Sequence, residues 1–323
     1  MNQIAYIFSN VTIYWYSVIL ALSVLTGVCI FMACCRYADL RPFHAAATVI
    51  LSVVLSLLLS RLVYWYCRAT SFSSWAQALT TPATGKLALA GVFAGCGLTV
   101  LILKKPFGET AKLLDCMSIA GCAAIGLGRL GNFFTTADRG QIMVEMISLP
   151  WAYPVLNSTS GELEYRLATF MLQAIIAGLL FTALAVLFFW PKARKHVPQG
   201  DIGLLFLMIY CGSQIILDST RYDSLYLRSN GFVSMVQVMA AVVLAACIVW
   251  ISIRAVKVRG LQKWMYLYWA AFAGLFGLAG YMEYYVQRHG RLAFFSYDVM
   301  EHCLVIILVL GILLWRKTVV KNK

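Results

Sequence analysis

Arg129 and Asn132 lie three residues apart in "GLGRLGNFF", residues 126–134, at the end of a long apolar run. That spacing puts both on one face of a helix. A guanidinium is expensive in hydrocarbon and is normally paired there. Its planar fork grips a carboxylate or a phosphate by two bonds without losing its charge. The sequence offers two answers for Arg129: a carboxylate such as Asp218, or a lipid phosphate. Other polar groups have helical spacing too. Tyr210, Gln214, Asp218 and Arg221 step by 4, 4 and 3, and Asp298, Glu301 and His302 share one face further on. Tyr14, Tyr16, Arg61 and Glu283 are polar residues near the ends of other apolar runs.

The elements that carry these residues are membrane helices. The chain has 323 residues, 62% hydrophobic and only 12% charged, with a mean hydropathy of +0.80. That is too apolar for a soluble globular domain. Nine runs reach the roughly 20 residues that cross a bilayer, near 11–33, 44–66, 87–103, 113–133, 167–190, 202–220, 231–253, 264–285 and 297–315. The fold class expected is an all-α polytopic membrane protein. The start "MNQIAYIFSN" has no basic residue, so the first run reads as a retained helix rather than a cleaved leader.

The net charge of +13 is an orientation signal. With the N-terminus outside, the inner loops and tail hold sixteen of the 26 Lys and Arg, the outer segments eight, and Arg61 and Arg129 lie within spans. The positive-inside rule then puts the C-terminus in the cytoplasm. Residues 134–165 form the one long outer segment, with Pro150, Pro154, Asn157 and Gly161, and read as a small cap. The basic loop 254–263 divides a seven-helix domain, 1–255, from an appended two-helix segment, 256–323.

On this topology the polar residues share one depth. Tyr16, Arg61, Arg129, Asn132, Gln214, Asp218, Arg221, Glu283, Asp298, Glu301 and His302 all fall toward the outer side, and only Asp115 lies inward. A transporter needs polar groups through the membrane and a site near its midplane, so this pattern disfavours transport. An outer-leaflet site suits a lipid or an extracellular peptide. Plainer readings stand beside this one. Arg61 is also readable as a snorkelling side chain. Asp218 with Arg221 is readable as an interfacial ion pair, residues 298–302 as a solvated cluster, and Asp115 as a helix-start residue. The ten cysteines are scattered, with no CxxC and no His/Cys spacing for zinc, and read as packing residues.

Several fragments, in order, carry a resemblance. "GLGRLGNFF" resembles the G-R-x-G-N-F-x-N-x-E-x-x-G signature of the bacterial prolipoprotein diacylglyceryl transferases. "YWYSVIL" at 14–20, "SRLVYWY" at 60–66, "LLDCMSIAGCAAIGLGRLGNFF" at 113–134 and "SLPWAYPVLN" at 148–157 are similar to other family elements. "LMIYCGSQIILDSTRYDSLYL" at 207–227 resembles the stretch Y-x-x-x-R-x-x-x-E-x-x-R-x-D-S-L. The resemblance covers about residues 10–250. It implies an enzyme of the bacterial cytoplasmic (inner) membrane that moves diacylglyceryl from phosphatidylglycerol to the lipobox cysteine thiol of a lipoprotein precursor, releasing glycerol phosphate. No metal or cofactor is implied.

The same resemblance implies site residues. Arg129, Asn132 and Asp218 would be catalytic, and Tyr16, Arg61, Arg221 and Gln214 would bind substrate. The pattern is also broken. Ala137 stands where the signature has its glutamate, with Asp138 one residue off, and Thr135 replaces the second asparagine. Ala90 replaces a His or Tyr, Gln214 an arginine, and Asp218 a glutamate. The H-P-x-Q-x-Y-E element would fall near 165–171, where almost nothing matches. Glu283, Asp298, Glu301 and His302 are possible compensating groups. A catalytically silent relative that binds phosphatidylglycerol or lipoprotein precursors is the alternative.

Overall fold

The computed structural model describes residues 3–8, 11–68, 72, 74–80, 87–142, 152–156, 160–228, 231, 233–290 and 292–319. Much of the expected cap, including Glu145, Pro150 and Asn157, lies outside the described residues, as do Lys86, Arg291, Lys321 and Lys323 of the charge count.

A hairpin, β1 (Ile4–Phe8) and β2 (Val11–Tyr14), leads into α1 (Trp15–Tyr37). Then follow α2 (Pro42–Cys67), the short α3 (Trp75–Thr80), α4 (Leu89–Phe107) and α5 (Thr110–Leu130), which tightens into a 3-10 turn at Gly131–Phe134. A second hairpin, β3 (Ala152–Leu156) and β4 (Leu163–Leu167), precedes α6 (Thr169–Phe189) and the short α7 (Pro191–Arg194). The chain continues as α8 (Asp201–Ser219), α9 (Met235–Arg259), α10 (Lys263–His289) and α11 (Ala293–Val319). Among the described residues nine helices are long and apolar enough to cross a membrane, and each overlaps one of the nine apolar runs. The first run is shorter as helix than the sequence implies: its opening residues, 11–14, are strand.

The helix α8 is the axis of the bundle. Seventy-two per cent of its span is buried, against 17–44% in the other eight. With no hydrophobic drive between helices in lipid, close packing must hold them, and small residues permit it. On α4, Gly91 and Gly95 do this. A Cβ on Gly91 would lie 2.3 Å from the Ser60 Cα, and one on Gly95 would lie 2.5 Å from the Ser56 Cα. Ser60 then locks the pair, donating to the Ala88 carbonyl at 2.9 Å and accepting its N–H at 2.8 Å.

Asp115 is not a helix-start residue. It is fully buried and reaches across to the first turn of α8. Its carboxylate accepts the Gly200 and Gly203 N–H groups at 2.9 and 3.0 Å, with Arg194 at 3.5 Å. A helix leaves its first N–H groups unpaired, and this acid from α5 satisfies two of them.

Of the last two helices, α11 packs on α8 and α9, and α10 packs on α11. Asp201 of α8 takes both Arg254 of α9, at 2.6 and 2.8 Å, and the Trp315 indole of α11, at 2.7 Å. Midway, Leu308 of α11 fills the notch at Gly212 of α8. At the other end Ser219 of α8 donates to Glu283 of α10, and the Tyr297 hydroxyl of α11 donates to the Ser219 carbonyl at 3.4 Å.

Candidate functional site

The site begins where α5 ends. The 3-10 turn holds Asn132, and the chain then doubles back so that Asp138 returns to Arg129, nine residues earlier. Asp138 adopts a left-handed conformation, with φ of 56°. Such a φ is uncommon outside glycine, though aspartate tolerates it better than most. Its carboxylate accepts from Arg129 and Asn132, and pairs with Arg221 through the other oxygen. Arg221 also bonds Asp218 through Nη1 at 3.0 Å, and Asp223 through Nε and Nη2 at 3.1 and 3.0 Å. Asp218 is buried and accepts from Ser234. The same Ser234 oxygen caps α9 by accepting the Gln237 N–H at 3.0 Å.

Burial works against the charge on Asp138 and pushes its carboxyl up. The guanidiniums of Arg129 and Arg221, with the Asn132 amide, outweigh that and hold it below the usual carboxylate range. The Arg129 side chain is 13% exposed, and its Nη1 meets Asp138. Tyr16 lies within electrostatic reach of both Arg129 and Asp138. Tyr210 is buried near Arg129, with its ring stacked on Phe93 and Phe206.

Arg139 holds the returning loop. It is fully buried, its Nη2 donates to the Asn132 and Thr135 carbonyls at 2.9 and 2.8 Å, and its guanidinium lies between the Tyr153 and Phe170 rings, 4.1 and 4.3 Å from their centroids. Tyr222 clamps the same loop, its N–H on the Arg139 carbonyl and its hydroxyl on the Thr136 carbonyl.

A family model for prolipoprotein diacylglyceryl transferase matches residues 3–253. The chain belongs to this family. The phosphatidylglycerol–prolipoprotein diacylglyceryl transferase of Trichormus variabilis is 26% identical over 253 residues, 76% of this chain and 87% of the relative. That of Bacillus licheniformis is 24% identical over 272 residues, 82% and 96%. That of Acaryochloris marina is 28% identical over 228 residues, 68% and 79%. The helices α10 and α11 lie beyond the matched region.

Against the family signature, the structure answers the first question differently from the sequence. Arg129 pairs with Asp138, not with Asp218. Asp218 pairs instead with Arg221. Asp138, one position past the family's glutamate, therefore supplies an acid to Arg129 and Asn132. Gln214, at the family's arginine position, is buried and accepts from the Gln173 amide at 3.0 Å. A neutral amide pair stands there in place of a cation.

The other residues named from sequence divide by place. Arg61 is buried on α2, beside Ser60. Glu283 is buried on α10, accepting from Ser219 and, at 3.2 Å, from Gln287. Asp298, Glu301 and His302 are exposed on α11 and are not gathered with Arg129; Asp298 and His302 face each other at 3.6 Å. Asp138 was noted from the sequence only as an acid one residue off the signature, and its place as the hub was not. Arg139 as the loop anchor and Asp223 as the second acid on Arg221 were not singled out, although Asp223 stands within the R-x-D-S-L match.

Proposed function

We propose that the chain transfers diacylglyceryl from phosphatidylglycerol to the cysteine thiol of a lipoprotein precursor. The observation that carries this reading is the Asp138 carboxylate bound to Arg129, Asn132 and Arg221, since it returns an acid to the broken signature. In the reaction the sulfur of the thiolate forms a bond to the terminal glyceryl carbon as that carbon's bond to the phosphate oxygen breaks. The thiolate, not the thiol, is the nucleophile. Arg129 holds the phosphate and stabilises the charge that gathers on it as glycerol phosphate leaves. Asp138, itself held by the Asn132 amide, positions Arg129, and Asp218 and Asp223 fix the plane of Arg221. Tyr16, Gln214 and Arg61 contribute headgroup contacts.

This reading places the Arg129 end of the bundle at the outer leaflet of a bacterial cytoplasmic membrane, in line with the positive-inside count. It also divides the chain into a transferase module, 1–255, and an appended pair, 256–323. The acyl chains remain in the bilayer.

The test is turnover by purified chain with phosphatidylglycerol and a lipobox peptide. Thioether-linked diacylglyceryl peptide, absent with Arg129→Ala, is the expected product. Phosphatidylglycerol retained without product would leave a binding protein.

A further inference from the structure

Beside the Arg129 cluster lies a cavity of about 410 Å³, lined by Gln141, Arg166, Ser219, Arg221, Tyr226 and Gln287 among others. Its cations are already matched. Arg221 carries Asp138, Asp218 and Asp223, and Arg166 carries Glu164 at 2.7 Å. A cavity so balanced has little to offer a further anion. The rest of its polar lining is amide and hydroxyl, groups that both donate and accept. That is the complement of a peptide main chain, which presents one N–H and one C=O per residue.

The walls are pinned by isolated antiparallel bridges, Gly140 with Arg221, Ile142 with Arg166 and Tyr226 with Ser234, so the amide and hydroxyl side chains are held in place around the cavity. The facing wall is Gln287 of α10, outside the family-matched region. A hydrogen-bond chain fixes it: Gln287 to Glu283, Ser219 to Glu283, Tyr297 to the Ser219 carbonyl, and Gln141 to Tyr297. The appended helices are thus wired into the cavity, and Arg221 is common to it and to the phosphate cluster.

We propose that this cavity seats the main chain of the acceptor peptide next to its cysteine, with Gln287 of the appended α10 as one of its binding walls. The assignment rests on the transferase reading above. Seating the peptide here brings its thiol toward Arg221 while the lipid phosphate occupies Arg129.

The experiment uses the full chain in nanodiscs with phosphatidylglycerol. The lipobox peptide is varied at fixed lipid, and the lipid at fixed peptide. Gln287→Ala and Tyr226→Phe are each expected to raise the peptide KM about fivefold, the scale of one hydrogen bond, with the lipid KM moved less than twofold. Active variants with an unchanged peptide KM would overturn the proposal. A rise confined to the lipid KM would overturn it too, by giving the cavity to the headgroup. Absence of turnover in the unaltered chain would sink the transferase reading instead. Retention of a fluorescent lipobox peptide then decides the cavity separately: binding weakened by Gln287→Ala supports it, and binding unaffected by that change overturns it.

Discussion

The Asp138 main-chain N–H donates to the Asp223 carboxylate at 2.9 Å. Two acids, 85 positions apart in the chain, are thereby set on either side of Arg221, which bonds both. The contact links the loop after α5 to the exit of α8. Neither guanidinium of the cluster is left without a carboxylate, although both sit at the end of a membrane bundle.

Removing the hub should unbalance the cluster. Asp138→Ala leaves Arg129 and Arg221 short of an acceptor in a buried place, a change that costs about 3–5 kcal/mol. Transfer should fall at least a hundredfold, and thermal unfolding in detergent should move to lower temperature. Adding Ala137→Glu to that variant returns an acid at the family's own position and should recover part of the activity. A double variant no better than Asp138→Ala would show that the register of the acid, and not its presence, is what counts.

The same acid sets a pH dependence. Its carboxyl titrates lower in the folded chain than its ordinary value near 4. A depressed value stabilises the folded state above the unfolded pKa, and that contribution is lost as pH falls through the folded one. The gap in melting temperature between the unaltered chain and Asp138→Asn should therefore be constant from about pH 8 to 5 and close below about 4. Circular dichroism melts across that range check it.

Asp115 should matter for folding and not for chemistry. Asp115→Ala strips α8 of its cap and leaves Arg194 without that acid. Loss of such a cap costs about 0.5–2 kcal/mol, and the pairing adds to it. The folded fraction should keep its kcat/KM within about twofold, since the acid lies at the opposite end of the bundle from Arg129.

Arg139→Lys keeps the charge but loses the planar contact. Lysine has no planar group to set against the Tyr153 and Phe170 rings while reaching both carbonyls. Hydrogen exchange over residues 131–140 should quicken several-fold, with transfer reduced because Asp138 rides on that loop.

The nine spans among the described residues were legible because hydrocarbon thickness is written in consecutive residues. The partner of Arg129 was not. Asp138 reaches it only through the 3-10 turn at Gly131–Phe134 and a left-handed residue, geometry that no apolar period encodes. Asp115 looked like a start signal for its own helix because local spacing says nothing of α8, 85 residues on. Arg139 counted as one charge among eight, since the rings that enclose it come from residues 153 and 170. The stripe from Tyr210 to Arg221 was readable, but the Gln173–Gln214 pair needs two helices. Of the hairpins, the first escaped because β2 was read as the start of the apolar run, and the second because its segment was read only as a cap.

The indole of Trp315 meets an acid made 114 residues earlier. At the usual pace of synthesis, about 5–20 residues per second, that is a delay of roughly 6–23 seconds. Through that interval the newborn central helix stands in the membrane with its Gly212 notch unfilled and Asp201 short of one partner. The stretch that finishes the middle of the protein is made 114 residues after Asp201. Completion of the packing around α8 is accordingly a late event in the making of the chain.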